Sequence, residues 1–280
     1  SDTGISSNDK ITNDTTPTVT GKGVDGAVVE LFVDTNKNGK LDAGESLGTA
    51  TVDNGIWSIT PATVELPDGV ANLRAIQTDA VGNVSAVSAA LSVTIDTTAP
   101  SAPTVLDLAT TSDSGLSNTD DITNVTKPVL SGRGEVGATV TLYDGGDILG
   151  TTLVSSKGAW SYTVTTALTD GAHELTAKQT DKAGNVSEAS NALTVTIDTQ
   201  SPEAPAAPDL ATASDAGNSS EDNITNVKKP EFTGSGLTTG YKVQLFNDKN
   251  GNGTIDQGEL LDSTRVDGEG NWSVTPTSAL

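Results

Sequence analysis

No cysteine and no methionine occur among the 280 residues, histidine occurs once, and aromatic residues make up only 3%. Without cysteine there are no disulfides, no thiolate zinc sites and no thiol chemistry. For a chain that works outside cells, this shifts the task of cross-linking onto metal ions. With aromatics scarce and hydrophobic residues at 34%, any core must come from Val, Leu, Ile and Ala. That suits small, thin domains and makes a large enzyme-like cavity unexpected. Basic residues are also few: 15 Lys and Arg stand against 37 Asp and Glu, a net charge of −22. Such a chain repels nucleic acid and anionic lipid, so neither is expected as a partner. It also repels itself unless cations neutralise the acids. No apolar run is long enough to span a bilayer, which excludes direct membrane insertion by a helix, and the first residues lack signal-peptide character. The absence of methionine reads as an interior piece of a longer chain. His173 reads as a strand-edge position rather than a base. No Ser-His-Asp set or phosphate-cradling glycine loop accompanies it, so an enzyme is the poorest fit.

What is present in pattern is Asp, Asn and Gly. Residues 34–45 place oxygen-bearing side chains on alternate positions around a central glycine, which is how a chain wraps calcium. An EF-hand-type loop takes side-chain oxygens from positions 1, 3 and 5, a glycine turn at 6, a carbonyl from 7, a ligand at 9 that often acts through water, and a bidentate glutamate at 12. Those places fall on Asp34, Asn36, Asn38, Gly39, Lys40, Asp42 and Glu45. The pattern returns at Asp248, Asn250, Asn252, Gly253, Thr254, Asp256 and Glu259. The bland alternative is a solvated acidic hairpin tip. Asparagine at positions 3 and 5 lowers the ligand charge, so the expected affinity is weak and extracellular in type, on the order of 10⁻⁴ to 10⁻³ M.

The chain also repeats itself. Ser-Asp-x-Gly begins at Ser1, Ser112 and Ser214. An aspartate follows at Asp9, Asp120 and Asp222, then Ile-Thr-Asn ending at Asn13, Asn124 and Asn226. Pro17, Pro128 and Pro230 come next, each with a glycine four residues on, and a Gly-x-Trp-Ser unit carries Trp57, Trp160 and Trp272. The first two copies continue through Asp-Gly, Gln-Thr-Asp, Gly-Asn-Val-Ser and Val-Thr-Ile-Asp, ending at Asp96 and Asp198. Short alternating strands separated by turn signals, without helical periodicity, predict an all-β array of three β-sandwiches. The expected domains are 1–97 with the inserted loop 34–45, 98–199 without it, and 200–280 with the inserted loop 248–259. Where the first and third copies carry the loop, the second has only Asp144-Gly145-Gly146-Asp147. The third copy lacks about two final strands and reads as truncated. Proline-rich linkers after Asp96 and Asp198 predict stiff, extended connections.

These motifs, in this order and spacing, resemble the bacterial Ig-like repeats of giant adhesins secreted by type I systems, and the resemblance covers the whole chain. It implies an elongated, surface-held rod of Ig-like domains, secreted, folded by calcium, and contacting host cells near its distal end. It also implies calcium at domain junctions. In an Ig-like fold the acidic loop and the domain-ending aspartate share one pole, facing the Thr-Asp-x-x-Gly-Asn turn of the next unit. Asp2, Asp9, Asn13, Asp96 and Asp181 would then meet at the first junction, and Asp113, Asp120, Asp121, Asn124 and Asp198 at the second. The competing reading is that these aspartates cap turns. The expected partners are calcium, neighbouring repeats and, for the whole adhesin, host-cell glycans or receptors. A distal carbohydrate- or receptor-binding module is the rival function. The three tryptophans share one repeat position, which favours packing over a sugar platform.

Overall fold

The computed structural model describes residues 2–280; Ser1, the opening residue of the first Ser-Asp-x-Gly motif, lies outside them. The alternation of β-branched and polar residues is realised as strands throughout. The first repeat contributes β1 (Ile11–Thr12), β2 (Val19–Lys22), β3 (Val28–Val33), β4 (Ser46–Thr51), β5 (Ile56–Ile59), β6 (Gly69–Thr78) and β7 (Leu91–Ile95). The second contributes β8 (Thr104–Leu108), β9 (Ile122–Thr123), β10 (Val129–Arg133), β11 (Thr139–Asp144), β12 (Asp147–Leu153), β13 (Ala159–Thr163), β14 (Gly171–Thr180) and β15 (Leu193–Ile197). The third contributes β16 (Asp209–Leu210), β17 (Phe232–Gly234), β18 (Lys242–Phe246), β19 (Leu260–Arg265) and β20 (Trp272–Val274). Residues Ser1–Thr199 form one compact unit and Gln200–Leu280 another.

Each repeat sets two sheets face to face. The first has β1-β7-β6-β3-β4 opposite β2-β5, the second has β12-β11-β14-β15-β9 opposite β13-β10-β8, and the third has β18-β19 with β16-β17-β20. The inward residues of alternating strands fill the space between them: Val29, Leu31, Leu73, Val93 and Ile95 in the first core, and Val140, Leu142, Leu175, Val195 and Ile197 in the second. This is the period-two pattern of a strand with one face buried.

The repeated Trp and Gly are one device. Trp57, Trp160 and Trp272 are buried at 4–8% exposure and lie directly across the ladder from Gly21, Gly132 and Gly234. A methyl group on any of these glycines would run into the indole ring. The glycine is therefore the seat of the tryptophan, and the indoles are core rather than a surface platform.

Two parallel pairings decide where the acidic loops go. β1 pairs with the end of β7 (Thr12 opposite Ile95), and β9 pairs with the end of β15 (Thr123 opposite Ile197). Each Ile-Thr-Asn motif is thereby fixed beside the aspartate that closes its own repeat. The register of β3 on β6 and of β6 on β7 (Val33 opposite Leu73, Gly69 opposite Ile95) turns the 34–45 hairpin toward that same end of the first repeat.

Candidate metal centres

The first hairpin loop is organised around Asp34, which is only 2% exposed. Its Oδ2 accepts the Gly39 amide at 3.0 Å and the Arg74 Nε at 2.8 Å, while its buried Oδ1 has no partner. Asn36 and Asn38 take Asx-turn bonds from the amides of Asn38 and Lys40 (3.0 and 2.7 Å). Their side-chain amides both donate to Asp42 Oδ2, at 2.8 and 2.7 Å. Glu45, also buried, receives the Thr35 amide and hydroxyl on Oε1 and the Asp42 amide on Oε2. These contacts hold two acids in the ionised form. Asp42 has its pKa lowered chiefly by the Asn36 and then the Asn38 hydrogen bonds. Glu45 has its own lowered chiefly by the Thr35 hydroxyl. Gly39 turns at φ +71°, where a side chain would be strained.

The second loop repeats the scheme. Asp248 Oδ2 accepts the Gly253 amide at 2.9 Å, Asn250 and Asn252 donate to Asp256 Oδ2 at 2.7 and 2.8 Å, and Asn252 accepts the amide and hydroxyl of Thr254. Buried Glu259 accepts the amides of Lys249 and Asp256. The Gly253 amide leads the causes that lower the Asp248 pKa. The two loops share the Asn-to-Asp and glutamate bonds but differ at the first position, where Asp248 Oδ1 accepts the Gly251 and Asn252 amides (2.7 and 3.1 Å) and Asp34 Oδ1 has no partner.

The third arrangement is at the repeat poles. Asp2, Asp113 and Asp215 occupy one repeat position, and each gives Oδ2 to the amide of a residue in the left-handed region: Lys10, Asp121 and Asn223 respectively. In all three the other oxygen, Oδ1, is buried without a partner, and Asp113 and Asp215 are each 5% exposed. Buried acceptors are normally satisfied, so a threefold recurrence at one place calls for a reason. In the second repeat the local field is adverse: burial, then the charges of Asp107, Asp113 and Asp120, push the Asp121 pKa up. The serine of the motif is structural, since Ser112 and Ser214 accept the amides of Val129 and Glu231. The hydroxyls of Thr3 and Ser114 reach Asn13 Oδ1 and Asn124 Oδ1, tying the loop to Ile-Thr-Asn.

The first and second repeats meet at the expected surfaces. Thr3 Oγ1 donates to the Ala183 carbonyl (2.7 Å), Asn185 Nδ2 donates to the Asp96 carbonyl (2.7 Å), and Asn13 Nδ2 reaches Asn185 Oδ1 (3.3 Å). Gly4, at φ +90°, and Gly184, at φ +102°, stand back to back: a Cβ on Gly4 would collide with the Lys182 carbonyl, and one on Gly184 would press tightly on the Gly4 backbone. Of the five residues expected here, Asp2, Asn13 and Asp96 gather on the pole. Asp9 uses Oδ1 for the Ile11 amide, and Asp181 gives both oxygens to its own turn through Gly184 and Asn185. In the second repeat Asp120 likewise caps the Ile122 amide. Asp198 lies one residue beyond β15, its amide bonded to the Thr123 carbonyl beside Asn124.

Among the described residues no three His, Cys, Asp or Glu side chains form a ready cluster; the loops mix carboxylates with amides and carbonyls. Sequence reasoning passed over Asp215, although its Ser-Asp-x-Gly motif was visible, and over Arg74, whose counterpart Thr176 lies in the repeat without a loop. His173 pairs instead with Asp144 (Nδ1 to Oδ2, 2.6 Å) and with the Thr169 carbonyl (Nε2, 2.9 Å).

Residues 1–97, 99–199 and 201–280 each match the bacterial Ig-like domain family. The chain belongs to that family. Over 179 residues, 59% of the chain, these Ig-like repeats are 36% identical to exoglucanase B of Cellulomonas fimi, and the chain spans 15% of that enzyme's length. Among solved structures, the Ig-like chain is similar to a Ca2+-stabilised adhesin that helps an Antarctic bacterium reach out and bind ice. That match is 24% identical, covers 95% of this chain and 62% of that one, and has a TM-score of 0.40. It is also similar to a 1.5-MDa bacterial ice-binding adhesin, at 19% identity, 95% and 82% coverage and a TM-score of 0.32.

Proposed function

We propose that this chain is a calcium-braced segment of a large secreted adhesin, a non-catalytic spacer that holds an adhesive tip away from the bacterial surface. The observation that carries this reading is the orphaned, buried carboxylate oxygen of Asp34, Asp2, Asp113 and Asp215. A buried carboxylate oxygen without a partner is costly, and a hard cation with oxygen ligands relieves that cost. Asp34, Asn36, Asn38, Asp42 and Glu45, with the Lys40 carbonyl, would hold one ion. Asp248, Asn250, Asn252, Asp256 and Glu259, with the Thr254 carbonyl, would hold another. At the poles Asp2 and Asp113 would each anchor an ion, joined by Asn13 and Asp96 in the first repeat and by Asp121, Asn124 and Asp198 in the second. Calcium supplies charge neutralisation and multidentate cross-linking there. The chain's own part is to hold Asp42, Glu45 and Asp248 below the ordinary carboxylate pKa and to fix the ligand set at the strand ends.

The similarity to adhesins named for calcium stabilisation and for ice binding agrees with a surface location and a mechanical task, and the repeat motifs are most like those of giant type I-secreted, non-fimbrial adhesins that contact host cells. The rival of a sugar-binding tip is disfavoured because all three tryptophans are buried. Small-angle scattering in millimolar calcium and in chelator tests the bracing. The expected result is a longer, better-defined maximum dimension with calcium; an identical profile in both buffers would sink the proposal.

A further inference from the structure

We propose that Arg74 sets the affinity of the first hairpin loop: its guanidinium stands in for a divalent cation at Asp34, closing the loop without the ion and holding the affinity for the ion down. The inference rests on the reading of residues 34–45 as a calcium loop. Arg74 lies on β6, opposite Phe32 of β3. Its Nε donates to Asp34 Oδ2 at 2.8 Å, and its Nη1 donates to the Ser88 carbonyl at 2.9 Å. The side chain of Asp34 is 1% exposed and that of Arg74 26%. One oxygen of this buried carboxylate is thus matched by a fixed positive charge, while Oδ1 has no partner. The loop's own Lys37 and Lys40 are exposed, so water and salt screen their charges. The second repeat shows that the pair belongs to the loop and not to the sandwich. Asp34 and Gly145 hold one place, since their amides bond to the carbonyls of Asn72 and Glu174. Thr176 lies opposite Tyr143 as Arg74 lies opposite Phe32. Where the carboxylate is missing, the guanidinium is missing too.

Arg74 acts on an incoming ion in two opposed ways. A hydrogen bond to the far oxygen of a ligating carboxylate orients it and favours binding, whereas a positive charge held on that carboxylate repels the ion. Orientation has a second source here, because the Gly39 amide holds the same Oδ2 at 3.0 Å and burial confines the side chain. The charge is Arg74's own contribution, so repulsion outweighs orientation. Without the guanidinium, the calcium-free chain keeps a buried carboxylate that nothing compensates, which is the costly way to break a buried pair. In the loaded chain the ion compensates it. The loss therefore falls mainly on the free state, and by linkage the ion binds more tightly.

The test is a calcium titration of the full chain followed by amide-resolved NMR, in which the Gly39 amide reports the first loop and the Gly253 amide the second. Arg74→Gln and, separately, Arg74→Met should lower the calcium concentration that half-titrates Gly39 by at least about tenfold, with Gly253 unmoved. Arg74→Lys keeps the charge and should stay within about threefold of wild type. In chelator, Arg74→Gln should lower the urea midpoint of the first repeat, read by Trp57 fluorescence in a Trp160→Phe, Trp272→Phe background, and saturating calcium should restore most of that loss. Damage to the fold alone does not tighten binding. Weaker or unchanged binding in both charge-removing variants, Arg74→Lys binding as tightly as Arg74→Gln, or a midpoint loss that calcium leaves in place would overturn the proposal. Failure of both charge-removing variants to fold in saturating calcium would also overturn it. A wild-type Gly39 amide that ignores calcium would sink the reading of the loop itself, and this inference with it.

Discussion

Replacing Asp113 with asparagine should change the sign of its effect on stability when calcium is removed. Asparagine is nearly isosteric and can keep an acceptor for the Asp121 amide, the bond made by Asp113 Oδ2, but it carries no charge. In chelator the wild-type carboxylate keeps Oδ1 buried without a partner and adds to the repulsion that raises the Asp121 pKa. An unsatisfied buried polar atom costs about 1–3 kcal/mol, more when charged. The variant should therefore be equal to wild type in chelator or more stable by about 1 kcal/mol. In calcium at ten times the dissociation constant, the wild type gains about 1.4 kcal/mol per occupied site, and the variant forfeits that gain. The assay is urea unfolding followed by Trp160 fluorescence in a Trp57→Phe, Trp272→Phe background, so that only the second repeat reports. An equal shift of the midpoint in the two buffers would refute the reasoning, because it would mean that Asp113 only caps its turn.

Gly132→Ala should destabilise the second repeat by about 1–3 kcal/mol through collision with the Trp160 indole, read as a lower urea midpoint with or without calcium. Gly4→Ala places a Cβ against the backbone of Lys182 and Ala183, so scanning calorimetry should show the unfolding of the first and second repeats becoming less coupled. Both ring nitrogens of His173 face oxygen acceptors, Asp144 and the Thr169 carbonyl. Burial lowers its pKa, but these contacts outweigh it and the net shift is upward. Its contribution is then fully present below the ordinary histidine pKa, about 6.5, and is lost as pH rises through the higher folded value. His173→Gln should remove that slope from the midpoint measured against pH. Glu45→Gln should weaken terbium or calcium binding at the first hairpin loop while leaving the second intact, read by titration of luminescence.

Local chemistry was legible in the sequence and long-range apposition was not. The hairpin loops could be read because their donors follow one another along the chain, and the strands because alternation reports one buried face. The shared position of the tryptophans pointed to packing, but their glycine seats became visible only from the ladder register. Asp181 shows the reverse case: its position at the junction was foreseeable, yet its oxygens close the turn with Gly184 and Asn185, a local competition that spacing does not resolve. Arg74 reaches Asp34 from forty residues away across the sheet, a contact that no periodicity in the chain encodes.

The most direct measurement is anomalous diffraction from crystals of the chain grown in calcium. Binding predicts difference peaks about 2.3–2.6 Å from Oδ1 of Asp2, Asp34 and Asp113, each with a shell of oxygen ligands. Water or empty density beside all three oxygens would contradict the role of divalent ions as the fasteners of these repeats.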